Sequence, residues 1–159
     1  MLSENIKWVP VMNSADVSTG TDCDSINMSE YHKAVFLFTF GTVTTDITFT
    51  PKCGATEGAK TTAVATRYAA GGAVIGTAVA GSAASCDVLA AWTASRTTIS
   101  LTAASNKFLV MEIDASAMDL TNKYEWLTVT VAAGTGGICH CVVGLIPRYQ
   151  SASIPTCLK

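Results

Sequence analysis

Period-two alternation of apolar side chains is the feature that most constrains this chain, and it is clearest in YEWLTVTVAAGTGGICHCVVGLIPRY, Tyr124 to Tyr149. Leu127, Val129 and Val131 alternate with Trp126, Thr128 and Thr130, which puts one set on each face of a strand. Ala132 to Gly137 supplies small residues and glycines that tolerate positive φ, so a hairpin turn is expected there. In the return arm Ile138, His140 and Val142 point one way and Cys139, Cys141, Val143 and Leu145 the other. Both sets are nearly apolar, which predicts a central strand covered on both sides, ended by Pro147 because proline cannot donate to a ladder. The pair is expected at the middle of a β-sandwich.

The same period recurs upstream. In KAVFLFTFG, Lys33 to Gly41, Phe36, Phe38 and Phe40 share a face, and the aromatic and β-branched content favours a strand. Asp46 to Thr50 turns Ile47 and Phe49 inward, with Pro51 as its stop and Thr42 to Thr45 as the turn of a first hairpin. Ile6 to Met12, broken by Pro10, suits an edge strand or an arm, and the polar run Asn13 to Ser29 reads as a long loop. Within Thr61 to Ala70 the large residues Val64 and Tyr68 mark a strand, and Cys53 to Lys60 a loop. Gly71 to Ser85 mixes alanine with glycine and threonine and is expected to be irregular or extended. Val88 to Trp92 fits a short strand or a helical turn. Thr97 to Thr102 and Lys107 to Asp114 are strands, the latter with Leu109, Met111 and Ile113 on one face, and Ala115 to Lys123 is a connection. Short strands at this spacing predict one all-β domain over residues 1–159, a β-sandwich or jelly-roll-like fold. Its core is expected to hold Phe36, Phe38, Ile47, Phe49, Leu109, Met111, Ile113, Leu127, Val129, Val143 and Leu145.

Charged residues make up only 14% of the chain against 49% apolar, where soluble domains usually carry about 25% charge. Little but Thr, Ser, Ala and Gly is left to cover the surface, so part of it is expected to be buried against other subunits. The formal net charge of −2, without any block of like charge, gives no attraction for nucleic acid or an anionic membrane. The uncharged window from Arg67 to Asp87 is too rich in small residues for a span, and MLSENIKWVP lacks the apolar region of a signal peptide. The six cysteines, Cys23, Cys53, Cys86, Cys139, Cys141 and Cys157, are therefore expected to be mostly reduced and buried.

Candidates for chemistry resolve into structure. Cys139-His140-Cys141 places two thiols on one face of a strand and the imidazole on the other, and a flat strand cannot close a tetrahedral metal site with three ligands. Neither histidine, His32 or His140, lies beside an activated cysteine, and the glycine-rich stretches match neither a P-loop nor a dinucleotide fingerprint. Glu112 and Asp114 share a strand face, where a solvated edge is their expected place. No catalytic, metal or cofactor-binding residue is assigned. Trp8, Trp92 and Trp126 default to core or interface anchors. A carbohydrate-binding sandwich, with Trp92, Trp126 or Tyr124 stacking on sugar, is the alternative from another class.

The segments MLSENIKWVPV, KAVFLFTFG followed by DITFTPKCGA, NKFLVMEIDASAM, YEWLTVTV and PRYQSASIPT together resemble small head proteins of tailed bacteriophages, known as decoration, cement or auxiliary proteins. Gly71 to Ser85 and the six cysteines depart from that pattern. The resemblance implies a β-sandwich or jelly-roll-like subunit without enzyme activity, made in the host cytoplasm and carried on the virion. It would bind the major capsid protein on the outside of an icosahedral shell, often as a homo-oligomer, dimer or trimer. A tail, neck or fibre component is the near alternative. Both chain ends are expected to act as arms, residues 1–11 through Trp8 and Pro10 and residues 148–159 through Tyr149, Ile154, Pro155 and Leu158. Each end carries apolar groups that a free tail would leave in water.

Overall fold

A computed structural model describes residues 5–71, 88–102, 105–133, 135–149 and 156–158. Twelve strands run in chain order: β1 Lys7–Asp16, β2 Thr21–Asp22, β3 Ile26–Asn27, β4 Tyr31–Val43, β5 Ile47–Gly54, β6 Thr62–Ala63, β7 Thr66–Ala70, β8 Thr93–Arg96, β9 Ile99–Leu101, β10 Phe108–Asp114, β11 Trp126–Ala133 and β12 Gly137–Pro147. They form two six-stranded sheets. The first sheet has the order β1-β12-β4-β10-β7-β8, and the second β2-β11-β5-β6, with β3 also on β11 and β9 also on β5. Every strand pair is antiparallel. The architecture is an all-β, sandwich-like domain. A single 3₁₀ turn, Ala115–Ala117, follows β10 among the described residues, and no described helix is long and apolar enough to cross a membrane.

One face of each long strand makes the core. Phe36 and Phe38 of β4, Ile47 and Phe49 of β5, Leu109, Met111 and Ile113 of β10, Leu127 and Val129 of β11, and Val143 and Leu145 of β12 are all buried, as their alternation predicts. The two sheets meet through aromatic rings, with Phe38 and Phe49 centroids 4.9 Å apart and tilted by 56°. Phe40 meets the same Phe49 ring at 5.6 Å.

Both expected hairpins are corrected. β4 lies in the first sheet and β5 in the second, and β11 and β12 are divided the same way, so each connection is an arch between sheets. β5 pairs with β11 and β4 with β12, which brings the two arches side by side. They are tied by Thr44 Oγ1 donating to the Thr135 carbonyl and by the Thr135 N–H donating to Thr45 Oγ1 at 3.1 Å. Gly136 takes φ +44° in the second arch, which is why glycine suits that corner.

Pro51 does not stop β5. It sits in register with Val129 of β11, and its carbonyl on the other side accepts the Val64 N–H at 3.0 Å. On that side β9 pairs with residues 47–49 and β6 with 52–53. Proline falls in the gap between them, where its missing N–H breaks no ladder. Asn13 to Ser29 is likewise not one loop. β1 runs on to Asp16 through two register shifts, with Ser14 at φ +44°, and β2 and β3 follow. Thr61 to Ala70 divides into β6 and β7, which lie in different sheets with buried Val64 between them.

The N-terminal arm is corrected for residues 7–11. They belong to the edge strand β1, where Val9 and Val11 are buried in the core while Trp8 and Pro10 stay exposed. At the other end the Asn27 N–H donates to the Cys157 carbonyl at 3.0 Å and Cys157 is buried, so 156–158 pack back near β3. The expected irregular stretch at 72–85 and the arm residues Ile154 and Pro155 lie outside the described residues.

Candidate partner-docking surface

The second face of the first sheet is built by the residues that alternate with the core. Antiparallel register aligns them in rows across the strands. One row runs Pro10, Val142, Leu37, Val110, Ala69, through β1, β12, β4, β10 and β7. The next runs Trp8, Gly144, Val35, Glu112, Arg67. The first row is apolar throughout. Only its last member, Ala69, is buried; Pro10 is exposed, Val142 and Val110 are half-buried, and Leu37 at the centre is 37% exposed. Ile138, on the same face of β12, is 45% exposed. The expectation that β12 is covered on both sides is therefore corrected: it is central in its sheet, but its outer face meets solvent within the single chain.

Trp8 extends this patch. Its ring lies on Gly144 so closely that a Cβ there would sit 2.9 Å from Trp8 Cζ3 and 3.1 Å from Cη2. The indole remains 51% exposed. The ring is thus fixed on one side and free on the other, a rigid amphipathic anchor. Pro10, two residues along β1, both joins the apolar row and blunts the sheet edge.

Charge borders the patch and is neutralised locally. Glu112 Oε2 accepts a hydrogen bond from Arg67 Nε at 2.7 Å, and Lys33 Nζ lies 3.4 Å from the same oxygen and 3.6 Å from Asp114 Oδ1. Arg67 also lies over the Trp92 ring, 4.9 Å from its centroid. Glu112 and Asp114 are therefore partners of cations rather than a carboxylate pair.

The outer face of the second sheet is mostly polar, with Trp126 and Ala132 at the two ends of β11 as its apolar members. Thr48, Thr50 and Lys52 of β5 face the same way as Thr128 and Thr130 of β11 and Asp22 of β2. Asp22 Oδ1 accepts from Thr130 Oγ1 at 2.5 Å, and its Oδ2 accepts from Lys60 Nζ at 2.7 Å. Burial pushes the Asp22 carboxyl up, but the Lys60 and Thr130 hydrogen bonds outweigh it and hold the group below its ordinary range. Thr128 is buried on this side because Ser25 Oγ sits 2.6 Å from its hydroxyl.

Of the expected contact residues, Trp8 and Pro10 fall on the apolar face, but as strand residues. Tyr149, just beyond β12, is 78% exposed, and Leu158 is exposed beside buried Cys157. Leu37, Val110 and Val142 share that face and are not among the expected contact residues. Their signal in the sequence is the second apolar set on β12, which predicts a strand covered on both sides. The three aromatics of a sugar platform do not converge: Trp126 is on β11 in the second sheet, Trp92 precedes β8 in the first, and Tyr124 lines a shallow hollow of about 220 Å³ with Met28, Met118 and Arg148.

Burial holds the thiols of Cys139 and Cys141 in their protonated form. Burial, with Cys23 adding to it, pushes Cys139 up to about 12, and Cys141 is likewise held well above its ordinary range by burial first. Among the described residues no three His, Cys, Asp or Glu side chains are grouped to hold a metal ion. No protein-family model matches this chain, and no curated protein or solved structure matches it either.

Proposed function

We propose that this chain is a non-enzymatic structural virion protein that binds and stabilises the outside of an icosahedral phage capsid. It does so by laying the outer face of its first sheet against protein. One observation carries the reading: β4 and β12 have two apolar faces each, and the fold covers one of them. Leu37, Val110, Val142 and Trp8 stay wholly or partly in water in the lone subunit, at roughly 25 cal/mol per Å² of apolar area that a partner would recover. The low charge content of the chain and its resemblance to phage head proteins support the same conclusion. The partners in this reading are the major capsid protein and further copies of the chain, as a dimer or trimer.

Co-sedimentation of the purified chain with intact capsids tests it, followed by imaging of the decorated particles. Added density on the outer shell, lost with Val142→Glu, is the expected result. Failure to co-sediment sinks the reading, and density confined to the neck, tail or fibres transfers the protein to those parts.

A further inference from the structure

We propose that Cys23 and Cys141 are the site of a disulfide that staples the two sheets together when a low-molecular-weight disulfide oxidant reaches them. The five described cysteines, Cys23, Cys53, Cys139, Cys141 and Cys157, are all free and buried. The backbone brings one pair of them together across the sandwich. The Cys23 N–H donates to the Val129 carbonyl of β11, in the second sheet, at 2.9 Å. The next residue, Asp24, donates its N–H to the Val11 carbonyl of β1, in the first sheet, at 2.8 Å. The chain at Cys23 therefore bridges the sheets at their β1–β11 edge. Val11 precedes Met12, whose partner across the ladder is Cys141. This puts Cys23 within one strand of Cys141, and both side chains are buried in the shared core.

The other pairings are disfavoured. Cys139 and Cys141 are two apart on one strand face, where the side chains run parallel and cannot take up disulfide geometry. Cys139 is also near Cys23, but it lies opposite Ala15, beyond the register shift between Met12 and Ala15, one step further from the Val11 tether. Cys53 lies on β5 opposite Leu127 of β11, and Cys157 is tied beside Asn27.

The reaction is thiol–disulfide exchange. One cysteine, as thiolate, attacks the oxidant RSSR, forming a mixed disulfide and releasing one RSH after proton uptake. The second cysteine then attacks the protein sulfur of that mixed disulfide, forming the Cys23–Cys141 bond and releasing the second RSH. The protein loses two hydrogens and two electrons, and the oxidant gains both. Burial keeps the Cys141 thiol protonated, so exchange proceeds through opening of the β1–β2 corner and is slow. The closed loop spans most of the chain, the case in which a cross-link most restricts the unfolded state.

The test incubates the folded protein with oxidised glutathione, blocks remaining thiols with N-ethylmaleimide in denaturant, and maps peptides without reduction. The expected result is a mass about 2 Da lower before alkylation, a Cys23–Cys141 cross-linked peptide, and a melting temperature higher by roughly 10 °C. Cys23→Ser and Cys141→Ser should each abolish the bridge, while Cys139→Ala should leave it in place. The map of the unsubstituted protein decides the matter even where a variant fails to fold. Glutathione adducts without a bridge, a bridge to any other cysteine, Cys86 included, or no loss of mass after prolonged incubation would each overturn the assignment.

Discussion

The two outer faces of this sandwich are made by the same rule and come out opposite. Each is the set of residues that alternates with the core. On the second sheet that set is Thr48, Thr50, Lys52, Thr130 and Asp22, and Asp22 binds both Lys60 and Thr130. On the first it is Val35, Leu37, Val110, Val142, Ile138 and the Trp8 ring on Gly144, flanked by Thr39 and His140 and by the ion-paired Lys33, Glu112 and Arg67. Antiparallel sheets that face water on one side normally show apolar-in, polar-out alternation. The second sheet keeps that pattern and the first departs from it, which is the contrast the proposed docking rests on.

Five substitutions break or sharpen that contrast. The largest effect belongs to the core that both faces share: Phe38→Ala, which removes a ring packed on Phe36 and Phe49, should cost about 3–5 kcal/mol in urea unfolding. A loss under about 1 kcal/mol would mean the sheets are not held together by these rings. Next comes the outer apolar row. Leu37→Asp should weaken self-association or capsid binding by about 30-fold or more, with stability changed by less than about 1 kcal/mol. Thr48→Asp on the opposite face should leave association unchanged, and equal effects at the two positions would erase the distinction between the faces.

A smaller effect is expected for Trp8→Ala, which uncovers Gly144 and should lower stability by about 1 kcal/mol while weakening association as well. Chemical denaturation and sedimentation velocity on the same samples separate the two. The smallest lies on the polar face. Because the Asp22 carboxyl is held below its ordinary value of 3.8, it contributes stability that is complete above that pH and lost as pH falls through the lowered folded value. Lys60→Gln should bring the Asp22 titration, followed by NMR, back toward 3.8. It should also flatten that acid loss, by well under 1 kcal/mol for so exposed a pair. An unmoved Asp22 titration would show that Thr130 alone sets it.

The strands were legible because burial writes itself into alternation. Phe36 and Phe38, Ile47 and Phe49, Leu109 and Met111 each sit two apart with a different residue type between them, and all are buried. What a strand pairs with was not legible. Thr42 to Thr45 and Ala132 to Gly137 have the small, turn-tolerant residues of a chain reversal, and a hairpin and an arch between sheets make the same local demand. Pro51 misled because its effect depends on a lateral gap between β6 and β9, set by residues far away in sequence. β2 and β3 are two residues long and show no period at all. The exposed apolar face was half legible: the apolar residues of β4 and β12 were visible, but only the three-dimensional structure shows which of two apolar faces the chain covers by itself.

The nested arches also govern the order in which the chain can assemble. β1 pairs with β12, β4 with β12 and β10, and β5 with β11. Of strands consecutive in the chain, only β5 with β6 and β7 with β8 pair among the described residues. A ribosome releasing this protein from its N-terminus therefore exposes β1, β4 and β5 long before their main partners exist. Closing such long loops is slow, and unpaired strands invite pairing with other chains in the interval. The pairs that complete both sheets, β4 with β12 and β5 with β11, form only once residues 126–147 have been made, and until then the first half of the chain must stay apart from its neighbours.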